Sequence, residues 1–144
     1  MSNPFPFSSG AVLTAAQLNN IGAWQTWTPT VSWTGTTSNA KYAEVNGLVF
    51  AKMKFELTAT PSGDLTISQP VVEEAGESVT GTINGGYVYD TTDDESYAVA
   101  GFMSGTNIKF QTSDRDPQDT VSATHPFTWA SGDQIRFLVI YQAD

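Results

Sequence analysis

Tyr42-Ala43-Glu44-Val45-Asn46-Gly47-Leu48-Val49-Phe50-Ala51-Lys52-Met53-Lys54-Phe55-Glu56-Leu57 is the stretch that decides the fold class of this chain. Asn-Gly is the strongest short hairpin signal, because both residues tolerate the positive φ angles of a type I′ turn. The residues after it alternate with period two. Val49, Ala51, Met53, Phe55 and Leu57 make an apolar face, and Lys52, Lys54, Glu56 and Thr58 make a solvent face. A strand from about Lys41 to Val45 therefore turns at Asn46-Gly47 and returns from Leu48. The chain contains an antiparallel hairpin with one face committed to a core.

Working outward, the same period recurs. Trp27, Pro29, Val31 and Trp33 fall on one side, with Thr26, Thr28, Thr30 and Ser32 on the other. Pro29 within that run predicts an edge strand or a bulge. Further strands are predicted at 65–68, 78–84, 97–103, 107–112 and 135–141. Turn signals separate them at Pro61-Ser62-Gly63-Asp64, Gly85-Gly86, Ser104-Gly105 and Ser131-Gly132-Asp133. Seven or eight short strands so spaced predict a β-sandwich or a barrel-like fold. The last of them, Ile135-Arg136-Phe137-Leu138-Val139-Ile140-Tyr141, is apolar on nearly both faces, which predicts burial on both sides by a second subunit or by the N-terminal segment.

Composition agrees. The chain has 144 residues, no cysteine, 40% hydrophobic and 15% charged residues, which suits one soluble globular domain without disulfides or thiolate metal sites. A net charge of −9 argues against nucleic acid and against an anionic membrane surface, since phosphate binding needs a basic face. No apolar run is long enough to span a bilayer, and Met1-Ser2-Asn3-Pro4-Phe5 does not resemble a secretory leader.

The N-terminus differs from the rest. Pro4 and Pro6 oppose helix, while Phe5 and Phe7 need covering. Thr14 and Gln17 form a capping box, and Leu13 and Leu18 stand at staple spacing. Gly22 fits the position just past the helix end. A helix of about two turns is not stable alone. Residues 1–23 are therefore expected to be a docking segment whose Phe5, Phe7, Leu13, Leu18 and Ile21 pack on a partner, and residues 24–144 the β-domain.

Three acidic groups stand out: Glu73, Glu74 and Glu77; Asp90, Asp93, Asp94 and Glu95; Asp114, Asp116 and Asp119. The last has part of the spacing of a calcium loop but lacks its glycine and its distal glutamate. Solvated loops are the simpler reading of all three. A glycosidase would need a specified carboxylate pair, and none is evident. His125, the single histidine, has no partners for a triad or zinc site, and Gly85-Gly86 does not open a helix as a phosphate loop must. We expect no enzyme activity and no cofactor. Tyr87, Tyr89 and Tyr97 flank an acidic loop and suit sugar stacking, as aromatic faces beside carboxylates do. They suit ordinary packing equally well. Trp27 and Trp129 are expected in the core.

Phe7-Ser8-Ser9-Gly10-Ala11-Val12-Leu13-Thr14-Ala15-Ala16-Gln17-Leu18-Asn19 resembles the N-terminal segment of many bacteriophage fibre and minor tail proteins. Trp24-Gln25-Thr26-Trp27-Thr28-Pro29-Thr30 looks like the opening strand that follows it, 42–50 is similar to the second hairpin, and 126–141 to the closing turn and strand. The resemblance covers both ends and leaves 63–119 unconstrained. It implies a jelly-roll-like antiparallel β-sandwich with a short N-terminal helix, in a homotrimer. It places the chain in the virion, on a tail tip, tail fibre or head fibre, after assembly in the host bacterial cytoplasm. The family has no shared catalytic residues. Its partners would be other virion proteins and a host-surface glycan, and the alternative role is capsid decoration.

Overall fold

The computed structural model describes residues 12, 14, 15, 21–72, 83–112 and 120–143. Eight strands are defined: β1 (Gln25–Thr26), β2 (Gly35–Val45), β3 (Leu48–Leu57), β4 (Ile67–Ser68), β5 (Ile83–Asp90), β6 (Glu95–Ser104), β7 (Asn107–Thr112) and β8 (Gln134–Gln142). The chain is all-β among the described residues, and none of its defined elements is a helix. The predicted N-terminal helix falls largely on residues outside that description. No helix among the described residues is long and apolar enough to cross a membrane.

The β2–β3 hairpin forms as the turn chemistry demands. Val45 pairs with Leu48 across Asn46 (φ 52°) and Gly47 (φ 80°), so both turn residues occupy the left-handed region. Its core face is buried throughout, from Val49 at 0% exposure to Leu57 at 1%. β2 is longer than predicted and starts at Gly35. A register shift between Ser38 and Lys41, with Asn39 at φ 54°, inserts a bulge that bends it.

All pairings are antiparallel, in the order β1-β2-β3-β8-β5-β6-β7-β4. The expected pair of facing sheets is thus one continuous, curled sheet. Its two edges meet on a single stretch of chain. Gln25 and Thr26 pair with β2, whereas Val31 bridges Ile67 of β4 and Ser32 N–H donates to Thr66 C=O at 2.9 Å. The run from Trp24 to Trp33 is therefore no single strand. Pro29, which lacks an N–H, stands where the chain leaves one edge for the other.

Period two still sorts this stretch correctly. Trp27 (6% exposed) and Trp33 (5%) enter the core, Trp27 edge-on to Phe137 at 6.4 Å and Trp33 edge-on to Trp129 at 5.0 Å. Phe110 of β7 meets Phe137 of β8 at 4.8 Å across the interior of the curl, although two strands separate them in the sheet. Fully burying each such apolar side chain is worth about 1.5–3 kcal/mol.

Gly85-Gly86 is not a turn. Both residues lie inside β5, between β6 and β8. A Cβ on Gly86 would come within 2.9 Å of the Arg136 carbonyl oxygen and the Phe137 Cβ, so close approach of β8 demands glycine there. The strand predicted at 78–84 lies mostly outside the described residues, and β5 begins at Ile83. The turn at Ser131-Gly132-Asp133 does form, around the fully buried Asp133. Its carboxylate accepts bonds from Thr91 N–H (2.9 Å), Thr91 Oγ1 (2.8 Å) and Ala130 N–H (2.7 Å), which ties the β5–β6 loop to the start of β8.

Candidate functional site

β8 defines the site. Ile135, Phe137, Val139 and Tyr141 are buried, but Arg136 and Leu138 on the opposite face are exposed, and Ile140 is half-buried. The register extends this outer face sideways. Leu138 stands between Lys52 of β3 and Gly85 of β5, and Arg136 stands between Lys54 and Tyr87. Lys41 of β2 pairs with Lys52. The outer face of these strands carries two chemistries, separated along the strand direction.

The half near the Asn46-Gly47 turn is apolar. Val45 (37% exposed), Leu48 (43%) and Leu138 (40%) are joined by half-buried Phe50 and Ile140. The chain from the N-terminus arrives here. A Cβ on Gly22 would lie 2.9 Å from Val45 Cγ2, and Ile21 beside it is exposed. Of the predicted docking residues, Ile21 is thus at the edge of this patch. Phe5, Phe7, Leu13 and Leu18 lie outside the described residues.

The other half is polar and cationic. Asn39, Lys52, Lys54, Gly85, Tyr87 and Arg136 line a groove of about 500 Å³, with Met53, Gly86 and Phe137 beneath them. Arg136 lies over the Tyr87 ring at 5.7 Å and donates to Gln134 Oε1 at 2.6 Å. Lys54 meets Glu56 at 2.9 Å, and Lys52 sits 4.5 Å over the exposed Trp24 ring. A second hollow, of about 690 Å³, is bounded by Tyr87, Tyr89, Ser96, Ala98 and Arg136.

The three tyrosines separate. Tyr87 and Tyr89 share the outer face with Arg136. Tyr97 opposes inward-facing Val88, packs on Phe127 at 5.5 Å and donates its hydroxyl to Glu95 at 2.6 Å. Tyr89 donates to Asp94 Oδ1 at 2.6 Å, and that bond raises its pKa above 10.0, with loss of hydration adding to the effect.

The central acidic group serves the turn that carries it. Asp90 accepts from Thr92 N–H (2.8 Å) and Asp93 N–H (3.2 Å), while Asp94 and Glu95 each accept a tyrosine hydroxyl. Among the described residues no group of three His, Cys, Asp or Glu side chains converges as a metal site. The other two acidic groups lie outside them. His125 bonds Thr112 Oγ1 through Nε2 at 2.6 Å, and its carbonyl accepts from Trp129 Nε1 at 3.2 Å.

Sequence reading missed the groove. Its cations are scattered over 52, 54 and 136, and only strand register gathers them. The single available signal was the doubly apolar β8, which pointed to a covered second face. Comparison with family models, with curated proteins and with solved structures finds no match for this chain.

Proposed function

We propose that this chain is a bacteriophage virion structural protein, a trimeric fibre- or adhesin-type module docked to the particle by its N-terminal segment and binding a host-surface glycan through its β-domain. The observation that carries the reading is the apolar half-face on which Val45, Leu48 and Leu138 are exposed and Phe50 and Ile140 half-buried, set beside Ile21 where the N-terminal segment joins. Such a patch on the sheet of a small domain marks an interaction surface. Symmetric copies of the chain, or the N-terminal segment itself, would cover it. The motifs at both ends of the sequence supply the virion assignment.

On this reading the curled sheet serves as the jelly-roll-like sandwich of the fibre family, its halves meeting across the Phe110–Phe137 contact. Tyr87 and Tyr89 then lie at the ligand end, away from the docking end. The test has two parts. The purified chain is expected to have three times its 15.5 kDa mass in native mass spectrometry, and a monomer would overturn the trimer. Deleting residues 1–22 is expected to leave the β-domain folded yet absent from particles. Incorporation of the truncated chain would overturn docking through that segment, and saturation of empty heads without binding to cells would replace attachment by capsid decoration.

A further inference from the structure

We infer that the cationic end of the outer face is a binding groove for an anionic polysaccharide, one whose sugars carry carboxylate or phosphate groups. The inference deepens the glycan-binding part of the proposed function and rests on it.

Charge placement is the first observation. The chain carries a net charge of −9 and six Lys and Arg residues in all. Lys41, Lys52, Lys54 and Arg136 nevertheless project from the outer face of the adjoining strands β2, β3 and β8. Register sets Lys41 opposite Lys52 and Lys54 opposite Arg136. Like charges directly opposed across strands are destabilising, so the arrangement does not serve folding. Glu56 relieves Lys54 alone, and among the described residues no carboxylate lies within 4.0 Å of Lys41, Lys52 or Arg136. An anion spanning the strip would relieve both pairs at once.

The floor of the groove is the second observation. Gly86 is explained by the approach of β8, but Gly85 is not. Among the described residues a Cβ at Gly85 meets nothing within 4 Å, and the residue is exposed. Glycine inside a strand weakens it relative to alanine, and it marks places where a ligand or another backbone approaches closely. Here the open side of Gly85 faces the groove, between Lys52, Tyr87 and Arg136. The walls supply the rest of what a charged sugar needs. Tyr87 offers a ring to the C–H face of a pyranose, Arg136 a planar fork to a carboxylate or phosphate, and Asn39 a neutral amide at the rim.

Isothermal titration of the 144-residue chain tests this with four probes: polygalacturonate oligosaccharides, phosphomannan oligosaccharides, neutral dextran and a single-stranded oligonucleotide. One or both of the carboxylated and phosphorylated glycans are expected to bind, and which of them binds names the anion. Affinity is expected to fall with added salt. Arg136→Gln and Lys52→Gln are each expected to weaken binding about tenfold, the effect of losing one charge-assisted contact. Gly85→Val, which fills the floor from a side with open space above it, is expected to abolish binding while thermal unfolding is unchanged. Unchanged affinity in these variants overturns the inference, as does an oligonucleotide that binds as tightly. A fall in native mass on Arg136→Gln also overturns it, because the strip would then be a contact between copies. Dextran bound in place of the anionic probes removes the inference and leaves attachment standing. No binding of any glycan removes both.

Discussion

β3 and β8 run side by side along their whole paired length, and their two faces obey different rules. The inner face is closed: Val49, Ala51, Phe55, Ile135 and Val139 are at most 1% exposed. The outer face of the same strands keeps apolar Leu48 and Leu138 in water and opposes lysine to arginine. Folding accounts for the first face, through burial and close packing. It does not account for the second. Among the described residues nothing covers Leu48 and Leu138, which points to a cover supplied by another copy or by the N-terminal segment.

The sharpest way to probe the contrast is to cut into the closed side. Phe55→Ala is expected to cost about 3–5 kcal/mol in urea unfolding, since the cavity is walled by neighbours that cannot collapse into it. The adjacent glycines then compare the two faces within one strand. Gly86→Ala forces a Cβ against the β8 backbone and is expected to lose about 1–3 kcal/mol. Gly85→Ala points into open space and is expected to be neutral or to gain about 0.5–1 kcal/mol. Equal effects at the two positions would erase the distinction.

The smallest effect is at Tyr89. Its phenol is stabilised in the protonated form by Asp94, so that contribution is complete below the free phenol's value of 10.0 and is lost as pH rises through the raised folded value. Ultraviolet titration of Asp94→Asn is expected to return one tyrosine toward the ordinary range. An unchanged titration would mean that the bond is absent in solution.

How far the sequence anticipates this molecule depends on whether a feature is local. The β2–β3 hairpin was legible because the Asn46-Gly47 turn and the period-two pattern beside it act within a few residues. β7 was legible for the same reason, bounded by its own turn at Ser104-Gly105 and running over 107–112 as predicted. Gly85-Gly86 misled, because the reason for glycine at 86 is the backbone of β8, far away in sequence. The break at Pro29 was foreseen as an edge or bulge, but its consequence, one stretch serving both edges, depends on β4 and β2 together. Tyr97 could not be separated from Tyr87 and Tyr89 by spacing across a hairpin loop. The cationic strip was invisible, because it exists only once register brings positions 41, 52, 54 and 136 together.

The central claim is that the apolar outer half-face is a contact surface and no part of the chain's own core. Sedimentation equilibrium of the wild-type chain and of Leu138→Glu tests it most directly. The account predicts a trimer that becomes a monomer in the variant, whose unfolding free energy, referred to the monomer, changes by no more than about 0.5 kcal/mol. A wild-type monomer, or a variant that remains trimeric, would contradict it.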